Sequence, residues 1–157
     1  MTTPATPESL YVQRVIRAPR ARVFAAWTTP GDIMRWFGPG DCRALDVKVD
    51  LRPGGSYNFR VLTQGKEMNL TGVFREITAP SRLVYTWQFV GGPPPGMPET
   101  LVTVEFVEQG TATEVRIRHE QLPNTAVREQ HLIGWQGCLD KLETLVAGQN
   151  AKTPRPS

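Results

Sequence analysis

The sequence predicts an α+β fold in which an antiparallel sheet of seven strands lays one apolar face against a single long C-terminal helix. Three observations predict it. Six segments with period-two alternation follow one another between residues 44 and 119, separated only by short turn signals. Residues 127 to 146 instead repeat their apolar positions at helical spacing. A seventh alternating run near the amino terminus is followed by two short stretches with helical character.

Taken in order, LYVQRVIRA (10–18) supplies the first strand. Pro19 then stands where a first helical turn tolerates it, because the missing N–H would be unpaired there in any case, and ARVFAAW follows as a helix. GDIMRWF predicts a second short helix that ends at Gly38 and Pro39. The meander reads ALDVKVD, SYNFRVL, MNLTGVFREI, RLVYTWQFV, TLVTVEF and ATEVRIRH, broken by LRPGG, TQGK, TAPS, GGPPPGMP and VEQGT. Leu45, Val47, Val49, Tyr57, Phe59, Val61, Leu70, Phe74, Leu83, Tyr85, Trp87, Phe89, Val102, Val104, Phe106, Val115, Ile117 and His119 share one parity and predict the buried face. Asn124 or Thr125 is placed to cap the last helix and Gly148 to end it. Val127, His131, Leu132, Trp135, Cys138, Leu139, Leu142, Leu145 and Val146 form its apolar arc.

Counting strand reversals adds a second coordinate. The turns near Gly65, Gly91 to Pro98 and Leu122 to Asn124 fall at one end of a regular meander, with WFGPGD (36–41), His119 and the first half of the long helix. A pocket mouth is expected there.

The chain has 157 residues, which suits one domain large enough to bury a substantial core. Residues 1–9 and 149–157 are polar and Pro-rich and are expected to be flexible tails around a single domain at 10–148. Net charge is +3, from 18 Lys and Arg against 15 Asp and Glu, without a block of like charge. That pattern favours neither a nucleic-acid stripe nor any other charged partner. No stretch has the run of about 18 apolar residues that a membrane span needs, and the N-terminus lacks a signal-peptide pattern. The two cysteines are too few for a disulfide framework and lack C-x-x-C spacing, so free thiols in a reducing, cytoplasmic setting are expected.

Four blocks in order, APRARVFAAWTTPGDIMRWFGP, DLRPGGSYNFRV, GVFREITAPSRLVYTW and GWQGCLDKLETLV, resemble the heat-shock protein 90 ATPase activator homologue family. That family lies within the SRPBCC superfamily, which is START-like and similar to birch-pollen allergens. The resemblance spans about residues 10 to 147. It implies a helix-grip fold, a curved sheet wrapped around the long helix, with a mostly apolar internal cavity. Superfamily members bind lipids, hormones, polyketides and other hydrophobic molecules there, and some catalyse cyclisation or dehydration. Three functions follow as expectations: binding of a small hydrophobic molecule, an enzyme of the polyketide cyclase/dehydratase type, or co-regulation of the heat-shock protein 90 chaperone. Eukaryotic relatives carry a separate chaperone-binding domain that this sequence does not contain.

The candidate residues are read against that cavity. His131 and Cys138 share a helix face, but two turns separate their Cα atoms by about 10.5 Å, too far for a cysteine–histidine couple. Trp135 occupies the position four residues from His131, so metal-ligand spacing fails too, and no metal, cofactor or catalytic residue is assigned. His119 and His131 each read either as satisfied core histidines or as polar anchors for a ligand. Expected to line the cavity or its mouth are Trp36, Phe37, Phe59, Val61, Leu70, Trp87, Phe89, His119, His131 and Trp135. Gly134 and Gly137 weaken the helix by about 1 kcal/mol each, which suggests close packing or room for a ligand. GGPPPGMP lacks the Lys and Ser or Thr of a phosphate loop and reads as a stiff connection or a lip at the mouth.

Overall fold

The computed structural model describes residues 8–38, 42–91 and 97–152, with side chains described as far as Val146. Residues 1–7 and 153–157 of the expected tails, and most of the GGPPPGMP connection, lie outside the described residues. The element order is β1 (Glu8–Ile16), α1 (Arg20–Thr28), α2 (Pro30–Trp36), β2 (Arg43–Val49), β3 (Ser56–Thr63), β4 (Lys66–Thr78), β5 (Arg82–Val90), β6 (Thr100–Gln109), β7 (Ala112–Leu122) and α3 (Thr125–Lys152). One sheet contains all seven strands in the order β1-β7-β6-β5-β4-β3-β2, and every neighbouring pair is antiparallel. This is the helix-grip α+β fold.

Local chemistry sets the boundaries. Pro19 takes the N-cap of α1, one position earlier than expected, and Pro30 opens α2 in the first helical turn, where its missing N–H is harmless. Asn124 is the cap of α3: its Oδ1 accepts the Val127 amide at 2.9 Å and its carbonyl accepts that of Arg128 at 3.0 Å. The helix runs past Gly148 to Lys152, so that glycine does not end it.

Burial follows the expected parity over most of the sheet, with Val49, Phe59 and Phe89 half-buried on the inward parity and Thr86 buried on the opposite one. Leu45 is only half-buried, while Ala44 is buried, because the β2–β3 register slips by one residue between Ala44 and Asp46. A bulge adds a residue to one strand, so the inward position passes from Leu45 to its neighbour and the strand bends. A second register shift interrupts β4 and β5 between Phe74 and Glu76. On α3, Val127, Trp135, Cys138, Leu139, Leu142 and Val146 are buried, as the helical arc predicts. Gly72 fits only as glycine. A Cβ there would stand 2.0 Å from the Thr86 carbonyl oxygen and 2.6 Å from the Tyr57 ring, so its absence lets β4 lie under that ring. Among the described residues, no helix is long and apolar enough to cross a membrane.

Candidate functional site

Two spaces lie between the sheet and α3. The larger, about 390 Å³, is a cleft at the end of the sheet that carries the β3–β4 turn. Phe37 and Cys42 reach it from the α2–β2 connection, Val61, Thr63 and Gln64 from β3 and its turn, Met68 from β4, and Trp87 and Phe89 from β5. Met97 closes it ahead of β6, and α3 supplies Gln130, His131, Gly134, Trp135 and Cys138. The smaller space, about 20 Å³, is lined by core residues: Trp27, Ile33, Trp36, Val49, Tyr57, Phe59, Phe74 and Tyr85. Phe37, Trp87 and Trp135 line both and form the partition between them. The Phe37 and Trp87 ring centroids are 6.1 Å apart, and those of Trp87 and Trp135 are 5.1 Å apart.

Strand pairing and helix position together build a polar relay behind the partition. The indole N–H of Trp135 donates to Nδ1 of His119 at 3.1 Å, which leaves the imidazole proton on Nε2. Nε2 then donates to Oγ1 of Thr100 at 2.7 Å, and that hydroxyl donates to the Trp87 carbonyl at 2.9 Å. His119 is fully buried with both ring nitrogens used. Burial, helped by the neighbouring His131, pushes its pKa down to about 2, so the ring stays neutral. It is a wall support for Trp135.

His131 differs. Its Nδ1 lies 2.8 Å from the Val127 carbonyl, which can only accept, so Nδ1 carries the proton of the neutral ring. That leaves a lone pair on Nε2, which has no hydrogen-bond partner among the described residues. Burial lowers the pKa from its ordinary 6.5, with the Val127 bond opposing the shift. The ring lies 6.1 Å from that of Trp87 and 6.2 Å from that of Phe89.

Cys138 is not a nucleophile in this setting. Its sulfur accepts the Gly38 amide at 3.3 Å, and burial pushes the thiol up to about 12, far from a thiolate at neutral pH. Gly38 holds φ +104°, and a Cβ there would lie 2.5 Å from the Cys42 carbonyl oxygen, so glycine shapes this corner of the cleft. Among the described residues, no group of three or more His, Cys, Asp or Glu converges as a metal site.

Of the residues expected from the sequence, Phe37, Val61, Trp87, Phe89, His131 and Trp135 meet in the cleft. Trp36 and Phe59 line the inner space instead. Leu70 and His119 line neither: Leu70 is fully buried core beneath the sheet face, and His119 is screened by Trp135, to which it is bonded. Cys42, Thr63, Gln64, Met68, Met97, Gln130 and Cys138 line the cleft without having been expected there, and Gly134, one of the two glycines that suggest close packing or room for a ligand, lines it as well. Thr63 and Met68 share the parity of Val61 and Leu70, a signal that was present, whereas Gln64 and Met97 lie in connections that periodicity does not place.

The model of a family described as Activator of Hsp90 ATPase homolog 1-like protein matches residues 17–147. A solved structure of a Rhizobium leguminosarum protein is 28% identical with a TM-score of 0.78, covering 91% of this chain and 96% of that one. A Chromobacterium violaceum protein is 27% identical with a TM-score of 0.77, covering 88% and 96%. An AHSA1-like protein from Aeromonas hydrophila, at 23% identity and a TM-score of 0.75 over 96% and 99%, shares the fold. No curated protein matches.

Proposed function

The chain belongs to the Activator of Hsp90 ATPase homolog 1-like family, and we propose that its function is to bind a small, predominantly apolar molecule in the cleft between the sheet and α3. The observation that carries the reading is the cleft itself. Among the described residues the cleft offers about 390 Å³ of space walled by aromatic rings and thioethers. Small-molecule pockets of this kind run from about 300 to 1,000 Å³ and combine apolar walls with a few polar groups that set orientation. Trp87, Phe89, Trp135, Phe37 and Val61 are the walls, and Nε2 of His131 is a polar contact for a guest.

Two of the titratable groups near the cleft are not set up for chemistry. His119 is neutral and committed on both nitrogens, and the Cys138 thiol is protonated. Neither is poised for proton transfer or attack. The test is native mass spectrometry of freshly purified protein, followed by titration with the neutral apolar dye N-phenyl-1-naphthylamine. A retained apolar adduct, or saturable binding of one dye per chain, is expected. Loss of both, with the protein folded, would sink the proposal.

A further inference from the structure

The polar side chains that line the larger cleft are not equivalent. Thr63, Gln64 and Gln130 can each donate and accept hydrogen bonds, so they admit either kind of partner. Nε2 of His131 can only accept. The ring is pinned through its other nitrogen, Nδ1, which donates to the Val127 carbonyl of the same helix at 2.8 Å, and Nε2 is the nitrogen farther from the backbone. It is unpaired without being sealed. Among the described residues, the buried side-chain nitrogen or oxygen that lacks a partner is Nε1 of Trp87, whereas His131 is half-buried and its free Nε2 stays within reach of solvent. The rings of His119, Trp87 and Phe89 stand 5.0, 6.1 and 6.2 Å from the imidazole. With the helix behind it and these rings beside it, the imidazole opens on the cleft that it lines.

We propose that Nε2 of His131 accepts a hydrogen bond from a neutral hydroxyl of the bound molecule, so that the guest is a phenol, its ring among the cleft aromatics and its O–H on the imidazole. The inference rests on the proposed function and names the class of its guest. A wholly apolar guest would strip the water from Nε2 and leave the acceptor unpaired, at a cost of about 1–3 kcal/mol. A hydroxyl removes that cost. The residues lining the cleft carry no charge, so an ammonium group would be buried without a counter-charge, and a carboxylate would also turn its lone pairs on that of Nε2.

The test compares 2-naphthol with 2-methoxynaphthalene, which presents the same rings and an oxygen that can accept but not donate. Equilibrium dialysis of the full chain at pH 7.5 is expected to favour 2-naphthol about fivefold, as one net hydrogen bond would give, although burial of the extra methyl group alone favours the ether. His131→Phe keeps an aromatic ring and removes the acceptor, so the order should reverse. His131→Gln offers a side-chain acceptor again and should recover part of the preference. In native protein carrying ¹⁵N-labelled histidine, the His131 Nε2 resonance should move upfield with 2-naphthol and stay in place with the ether, a measurement that stands even if a variant fails to fold. An Nε2 resonance unmoved by saturating 2-naphthol, or the same order of affinities in native protein and in folded His131→Phe, would overturn the hydroxyl acceptor and leave apolar binding standing. Failure of both probes to bind the folded native protein would overturn both readings.

Discussion

His119 and His131 have ring centroids 5.0 Å apart, yet one is closed to a ligand and the other is open. The difference lies in their partners. Trp135 and Thr100 take both nitrogens of His119, whereas Val127 takes only Nδ1 of His131. Protonating His131 would put a cation against Trp87 and Phe89 in an apolar cleft, and a bound guest would strip away its remaining water. A neutral apolar guest therefore binds the neutral ring better. Affinity for N-phenyl-1-naphthylamine should hold above pH 6.5 and fall severalfold as pH drops through the lowered pKa of His131. His131→Phe should flatten that profile. Fluorescence titration from pH 7.5 down to the acid limit of the folded protein checks it, and parallel profiles in the two proteins over that whole range would refute it. The sequence placed His131, Trp135, Trp87 and Phe89 together because each position follows from one period and one count of strand reversals. It could not show that His119 is spent, since that depends on Thr100 and Trp135, which meet His119 from other elements only after the sheet and helix have docked.

At the scale of the element, α3 holds the cleft open through a missing side chain. Gly134 lies in the cleft wall, one turn after Gln130 and one before Cys138, so the room-for-a-ligand reading of this glycine has a geometric basis. Helical glycine costs about 1 kcal/mol relative to alanine. Gly134→Ala is expected to raise stability by up to about 1 kcal/mol while narrowing the cleft. Gly134→Leu should fill it and weaken dye binding by tenfold or more with the fold retained. Urea unfolding and dye titration measure the two effects, and unchanged binding in Gly134→Leu would show that the guest sits elsewhere. The strands and helices were legible because alternation and helical spacing are local properties. The bulge at Leu45 was not: ALDVKVD alternates cleanly, and the extra residue is visible only in its pairing with β3. Likewise Gly148 has the composition of a helix stop, yet the backbone continues to Lys152.

Across the whole molecule, the sheet and α3 are joined through a neutral histidine, and this gives folding a pH dependence of defined sign. In the unfolded chain His119 titrates near 6.5, whereas in the fold its pKa is held down to about 2. Below pH 6.5 the unfolded state therefore binds a proton that the folded state refuses. The stability associated with neutral His119 is fully present above 6.5 and drains away as pH falls from there toward the folded value. The limiting slope is about 1.4 kcal/mol per pH unit, so the loss between pH 7 and pH 5 is about 2 kcal/mol from this residue alone. His131, lowered in the same direction, adds to it. His119→Gln offers an acceptor and a donor to Trp135 and Thr100 without a proton to gain. Urea unfolding at pH 7, 6 and 5 should then show a steep loss of stability in the native sequence and a slope shallower by about one proton in the variant, whatever its absolute stability. Equal slopes would mean that His119 takes up its proton in the folded state as readily as in the unfolded one, and the sheet-to-helix relay would lose its assignment as a neutral, buried joint.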